Sequence, residues 1–116
     1  MKIKSPLNKL LADNRGKGLF RVDNVSQDEA TVWLYDMIVS DSFFEGISAI
    51  DFAREMTAIN AGTIHLRIDS PGGEVFAAQA MSQIIREHDA HIIAHIDGHA
   101  ASSASWVALS ADEVVI

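Results

Sequence analysis

Residues 63–69 alternate cleanly along the chain. Ile64, Leu66 and Ile68 are apolar, while Thr63, His65, Arg67 and Asp69 between them are polar. Such a period of two predicts a strand with one buried face. Ala30–Val39 (ATVWLYDMIV) is apolar on both parities, as a strand covered on both sides should be. Leu19–Val22 and His91–Ile96 read as two further strands, and EVVI at the end starts another. Between strands the period lengthens. Phe52, Met56 and Ile59 recur at helical spacing, with Ser48 and Asp51 as a capping box before them and Gly62 as the stop. Ala77/Ala78, Met81 and Ile84/Ile85 mark the buried stripe of a helix from about Glu74 to His88. A helix of small residues follows from about Ala101 to Ser110. Strands and helices alternate over short connections, which predicts an α/β domain of repeated βαβ or ββα units.

Composition narrows the chemistry. The 116 residues suit one domain, with 48% hydrophobic and 22% charged residues. No cysteine is present, which excludes disulfides, thiolate metal sites and a cysteine nucleophile. The five histidines (65, 88, 91, 95 and 99) lack metal-ligand spacing, so a metal site is not expected. Charge is split. Residues 1–21 carry net +5 and residues 22–116 net −12. An acidic body argues against a nucleic-acid surface, and no apolar run has the length of a membrane span. Residues 1–17 read as a basic, loosely ordered arm, and residues 18–116 as the domain. Because the chain stops inside an apparent strand, the domain is expected to be incomplete at that end.

Two strand-to-helix junctions carry the candidate chemistry. In Ser70-Pro71-Gly72-Gly73, proline stiffens the turn and the glycines permit backbone angles and approaches that a Cβ forbids. Amides at a helix start can bind an anion or the oxyanion of a tetrahedral intermediate. A tight turn needing glycine only for space accounts for the motif equally well. The second junction runs from Asp97 to Ser105 (DGHAASSAS). A serine at the start of this helix could face a cleft beside the amide of its successor, or it could simply cap the helix.

Together, SPGG after one strand and DGHAASSAS after the next resemble the ClpP family of proteolytic subunits. The resemblance spans about Phe20 to Ile116, including YDMI, GISAIDFAREM and LRIDSPGGEVF, and is nearest to the ClpP-like proteases that phages encode for head maturation. It implies a ClpP/crotonase-like fold and an ATP-independent serine endopeptidase without cofactor, with Ser102 as nucleophile. The backbone N–H groups of Gly72 and Ser103 would form the oxyanion hole, and Gly73, Glu74 and Val75 would pair with substrate as an added strand. It further implies a homo-oligomeric ring, protein or peptide substrates such as capsid or scaffold proteins, no membrane or nucleic-acid partner, and a location in the cytoplasmic prohead. The family's catalytic histidine and aspartate have no counterpart in these residues, and His99 is the one local candidate for the base. The chain alone is therefore expected to be inactive. A crotonase-type acyl-CoA enzyme and a non-catalytic assembly module are the alternatives.

Overall fold

The computed structural model describes residues 19–23, 25–41 and 44–116. The basic arm of residues 1–17 lies outside them. The described residues form seven strands and three helices in the order β1 (Leu19–Asp23), β2 (Glu29–Tyr35), β3 (Ile38–Val39), β4 (Ile47–Ser48), α1 (Ala49–Thr57), β5 (Thr63–Ser70), α2 (Val75–Glu87), β6 (His91–Ala100), α3 (Ser103–Leu109) and β7 (Glu113–Val115). The fold is mixed α/β. Its main sheet has the order β1-β2-β5-β6-β7, with β1 antiparallel to β2 and the other pairs parallel. β3 and β4 form a separate parallel pair.

The alternation of β5 decides which side of the sheet is covered. Ile64, Leu66 and Ile68 are fully buried and join Val32, Leu34, Ile92 and Ala94 from neighbouring strands. Phe52 and Met56 from α1, Met81 and Ile85 from α2, and Ala104 and Val107 from α3 close over them. Burying each of the larger side chains contributes about 1.5–3 kcal/mol. On the opposite side, Trp33, Tyr35, His65, Arg67, His95 and Asp97 form a polar layer. Arg67 clamps Asp97 through Nε (2.9 Å) and an η nitrogen (2.5 Å), the Tyr35 hydroxyl donates to the same carboxylate, and the guanidinium lies over the Trp33 ring.

Several elements depart from the periodicity. The run 30–39 breaks into β2 and the short β3, because the chain turns at Asp36 and Met37 to bring Ile38 against Gly73. α1 ends at Thr57, not at Gly62; Ala58 caps it, and Ile59 is buried beyond the helix end. The capping bond from Asp51 N–H to Ser48 Oγ (3.2 Å) does form. β6 continues four residues past Ile96 to Ala100. That extension delivers the second junction to the first.

Candidate functional site

β5 and β6 are adjacent parallel strands, and both candidate junctions leave from the same end. Ser70 pairs with Ala100, and the Ala101 N–H donates to Ser70 O (3.1 Å), so the two turns start side by side. Between Ile68/Ile96 and Ser70/Ala100 the register slips, leaving Asp97, Gly98 and His99 opposite Asp69 alone. The Asp69 carboxylate fills this bulge. Its Oδ1 accepts the His99 N–H (3.2 Å) and bonds to His99 Nδ1 (2.5 Å). A Cβ on Gly98 would lie 2.5 Å from that oxygen, so glycine makes room for the carboxylate.

The glycines of the first turn are there for contact with the second. At Gly72, φ is +90°, and a Cβ would sit 2.6 Å from Ala101 O, 3.0 Å from Ser103 N and 3.1 Å from Ser102 Cβ. Gly72, Ser102 and Ser103 are thus brought together. Gly73 (φ +147°) is pressed against Ile38, whose carbonyl oxygen would be 2.0 Å from its Cβ.

Ser102 departs from expectation in one respect: it precedes α3 and is not in its first turn. Its φ of 51° and ψ of −128° make it the one described non-glycine residue with positive φ. A sparsely populated conformation of this kind costs about 1–3 kcal/mol, and such strain concentrates at functional positions. The side chain is exposed and makes no capping hydrogen bond, so its hydroxyl is not used to start the helix. Ser103 is the first residue of α3, where the N–H has no partner within the helix.

Two hydroxyls hold the amides of the glycine turn. Ser70 Oγ accepts the Gly72 N–H (3.1 Å) while donating to Asp36 O (2.6 Å). Ser103 Oγ, buried, accepts the Gly73 N–H (3.0 Å). One candidate oxyanion donor, the Gly72 N–H, is therefore bonded inside the protein. The segment expected to pair with substrate is also occupied. Glu74 N–H donates to Ile38 O (3.0 Å), Ile38 N–H donates to Gly72 O (2.8 Å), and Val75 already belongs to α2. A peptide strand could add at Gly73 only if Gly73 left Ser103 Oγ. Sequence reasoning gave the Ser70 hydroxyl no role and that of Ser103 only helix capping as an alternative. A serine on each side of the glycine contact was the available signal.

No histidine among the described residues is hydrogen-bonded to Ser102. His65 and His95 bond each other (2.9 Å), His88 Nε2 donates to Met56 O (2.8 Å), and His91 meets Glu113 (2.6 Å). His99 is committed through Nδ1 to Asp69 and exposes the rest of its ring. The sequence has no lysine after Lys17. On the polar face, burial and the nearby Arg67 charge hold the His95 imidazole below its usual pKa, while the bond to Glu113 raises that of His91. No group of three or more acidic or histidine side chains among the described residues could hold a metal.

Comparison with solved structures places the fold. A mutant ClpP1 from Listeria monocytogenes superposes with a TM-score of 0.61 at 21% identity, over 90% of this chain and 51% of that one. The membrane-bound stomatin-specific protease 1510-N, solved as a serine-to-alanine mutant, gives 0.59 at 20% identity over 78% of this chain and 44% of that one. A probable enoyl-CoA hydratase/isomerase from Mycobacterium abscessus gives 0.59 at 14%, over 82% and 45%. The chain spans about half the length of these structures. At such identities the likeness fixes the fold alone, a ClpP/crotonase-like one. A search of curated protein sequences returned no match. The family model described as NfeD1b, N-terminal domain, matches residues 43–116, the segment holding both junctions, and the chain therefore belongs to the NfeD1b N-terminal domain family.

Proposed function

We propose that the paired junctions form the nucleophile and oxyanion portion of a serine endopeptidase site acting on peptide segments. One observation carries this reading: Gly72 lies against both Ser102 Cβ and Ser103 N, next to an exposed serine hydroxyl that caps nothing. Ser102 attacks the scissile carbonyl. The amides of Ser103 and Gly72 receive the negative charge on its oxygen, and the Gly72 N–H exchanges Ser70 Oγ for the oxyanion. A preorganised donor of this kind is typically worth a factor of about 100–1,000 in rate. The solved protease 1510-N is described as stomatin-specific, and one of its forms is a lysine-to-alanine mutant holding a substrate peptide. A serine–lysine pair is thus a second route to proton removal. No lysine lies in residues 18–116 and no described histidine bonds Ser102, so in this reading the base comes from outside the stretch. The NfeD1b membership supports a ClpP-like module and adds no support for capsid or scaffold proteins as substrates. A closed homo-oligomer remains part of the proposal, by analogy with ClpP.

Fluorophosphonate labelling with and without added imidazole tests this. Imidazole supplies the missing proton acceptor in solution. Ser102 is expected to stay unlabelled alone and to be labelled, by peptide mass mapping, once imidazole is present; Ser102→Ala abolishes the adduct. Labelling at other serines only, in a folded protein, overturns the nucleophile assignment. Rapid labelling without imidazole overturns the claim that these residues lack the base.

A further inference from the structure

α2 and α3 lie side by side over the sheet, and between them runs a groove of about 470 Å³ lined by Gln79, Ser82, Gln83, Arg86 and Trp106. Positions 79, 82, 83 and 86 follow helical spacing, so they form one continuous face of α2. Trp106 comes from α3, one turn beyond Ser102, and about half of it is exposed.

Arg86 is the unusual member. Four arginines occur among the described residues, and three meet a carboxylate: Arg21 with Asp23, Arg54 with Asp51, and Arg67 with Asp97. Arg86 meets none. Its one hydrogen-bond partner is a carboxamide oxygen, Gln83 Oε1 (3.3 Å), and the Gln83 amide nitrogen is itself held by Glu87 (2.7 Å). In a body with fifteen acids against three bases over residues 22–116, a cation without an ion-pair partner stands out. It lines the same groove as an exposed indole face. The buried Ser82, which also lines the groove, has no hydrogen-bond partner for its hydroxyl among the described residues, a state that most buried polar groups avoid.

We propose that this groove is a binding site for a carboxylate carried on a flat apolar body, such as an aromatic acid or a polypeptide C-terminus ending in an aromatic residue. The guanidinium offers a planar pair of donors matched to a carboxylate. The indole gives the flat body a stacking surface, and the Gln79 and Gln83 amides supply polar walls. Neutral isosteres lack the charge that the guanidinium would meet. The site involves neither Ser102 nor the glycine turn, so it stands or falls apart from the peptidase reading.

Titration of the ¹⁵N-labelled protein with benzoate, followed at the Trp106 indole N–H, tests it. Trp106→Phe assigns that signal against Trp33. Benzoate is expected to shift the Trp106 signal saturably, whereas benzamide, the same ring without the charge, binds at least tenfold more weakly. Arg86→Gln weakens benzoate by a similar factor, and Arg86→Lys by less. Acetyl-Ala-Ala-Phe with a free C-terminus is compared with its C-terminal amide. Tighter binding of the acid peptide than of benzoate marks a polypeptide end as the natural source, and equal or weaker binding marks a small acid. No shift at Trp106 up to the solubility of benzoate, equal shifts with benzamide, or an unchanged response in a folded Arg86→Gln protein each overturn the proposal.

Discussion

Adding one methyl group at different glycines measures how tightly the two junctions are pressed together. Gly73→Ala places a Cβ 2.0 Å from Ile38 O, and 3.0 and 3.1 Å from Ile38 C and N. All three are main-chain atoms, so no side-chain rotation relieves the clash, and β3 must move away from the turn. The positive φ adds about 1–2 kcal/mol for any residue with a Cβ, and overpacking adds about 1–3 kcal/mol. A loss of roughly 2–5 kcal/mol is expected, toward the upper end because the atoms met are main chain, and a large part of the ~5–15 kcal/mol that keeps a domain folded. Gly72→Ala meets Ala101 O at 2.6 Å, also at a positive φ (+90°), and is expected to cost roughly 2–5 kcal/mol on the same two grounds, toward the lower end because the contact is less severe. Gly98→Ala meets only the Asp69 carboxylate, which can swing away at the cost of its bond to His99; about 1–2 kcal/mol is expected. Gly62→Ala is the control. Its Cβ would meet nothing nearer than Asp28 O at 3.7 Å, and φ there is not positive, so the change should be neutral or stabilising by up to about 1 kcal/mol. Urea unfolding of the four variants at one pH, with slopes compared to establish that the midpoints report stability, gives the ranking. If Gly73→Ala loses no more than Gly62→Ala, then Ile38 is not packed on the glycine and the close approach is wrong.

Other groups give independent readouts. Tyr35 is the sole tyrosine, so alkaline ultraviolet titration reports it alone; burial and the bond to Asp97 push its ionisation well above the ordinary value of 10, and Asp97→Asn should bring it down. Because the folded pKa is the higher one, the associated stability is present below pH 10 and is lost as pH rises above it. His95 has the opposite sense: its folded pKa is depressed below 6.5, so the unfolded chain binds the proton more readily. Stability should therefore decline as pH falls through and below 6.5, and His95→Gln should flatten that part of a midpoint-versus-pH curve. Ser103→Ala removes the acceptor for the Gly73 N–H; because Gly73 is exposed to water, the loss is about 0.5–1.5 kcal/mol, measurable by the same urea assay.

The strand and helix periods were legible because burial on one face imposes them. Ile64, Leu66 and Ile68 alternate since the helices cover that side of the sheet, and α2 shows its stripe for the same reason. What could not be read was set by partners distant in sequence. β3 and β4 have two residues each, too short for any period, and exist through Ile38 meeting Ile47 and Gly73. Asp97-Gly98-His99 carries no strand propensity, yet it continues β6 because Asp69 supplies the bond that the slipped ladder lacks. The meeting of Gly72 with Ser102 and Ser103 was legible only through the joint presence of both motifs. The strained backbone at Ser102 left no mark, since serine has no special preference for positive φ; the close approach of Gly72 is what the local sequence does not display.

The bonding of the glycine turn implies a competition that can be measured. In this structure the Gly72 N–H is bonded to Ser70 Oγ, which is anchored in turn on Asp36 O. An oxyanion at the proposed site must take that amide from a neutral hydroxyl. Charge-assisted bonds are about twice as strong as neutral ones, so the exchange is favourable, but the first bond must still be given up. Ser70→Ala removes the competitor. If the Gly72 N–H acts on the developing charge, imidazole-assisted labelling of Ser102 should quicken by roughly fivefold, the equivalent of about 1 kcal/mol for the bond no longer broken. The same substitution leaves Asp36 O without its donor and should lower the unfolding midpoint. Stability and labelling rate thus move in opposite directions. A labelling rate that falls along with stability would mean that Ser70 holds the turn in its working shape, and the amide of Gly72 would then have to be dropped as a competing donor.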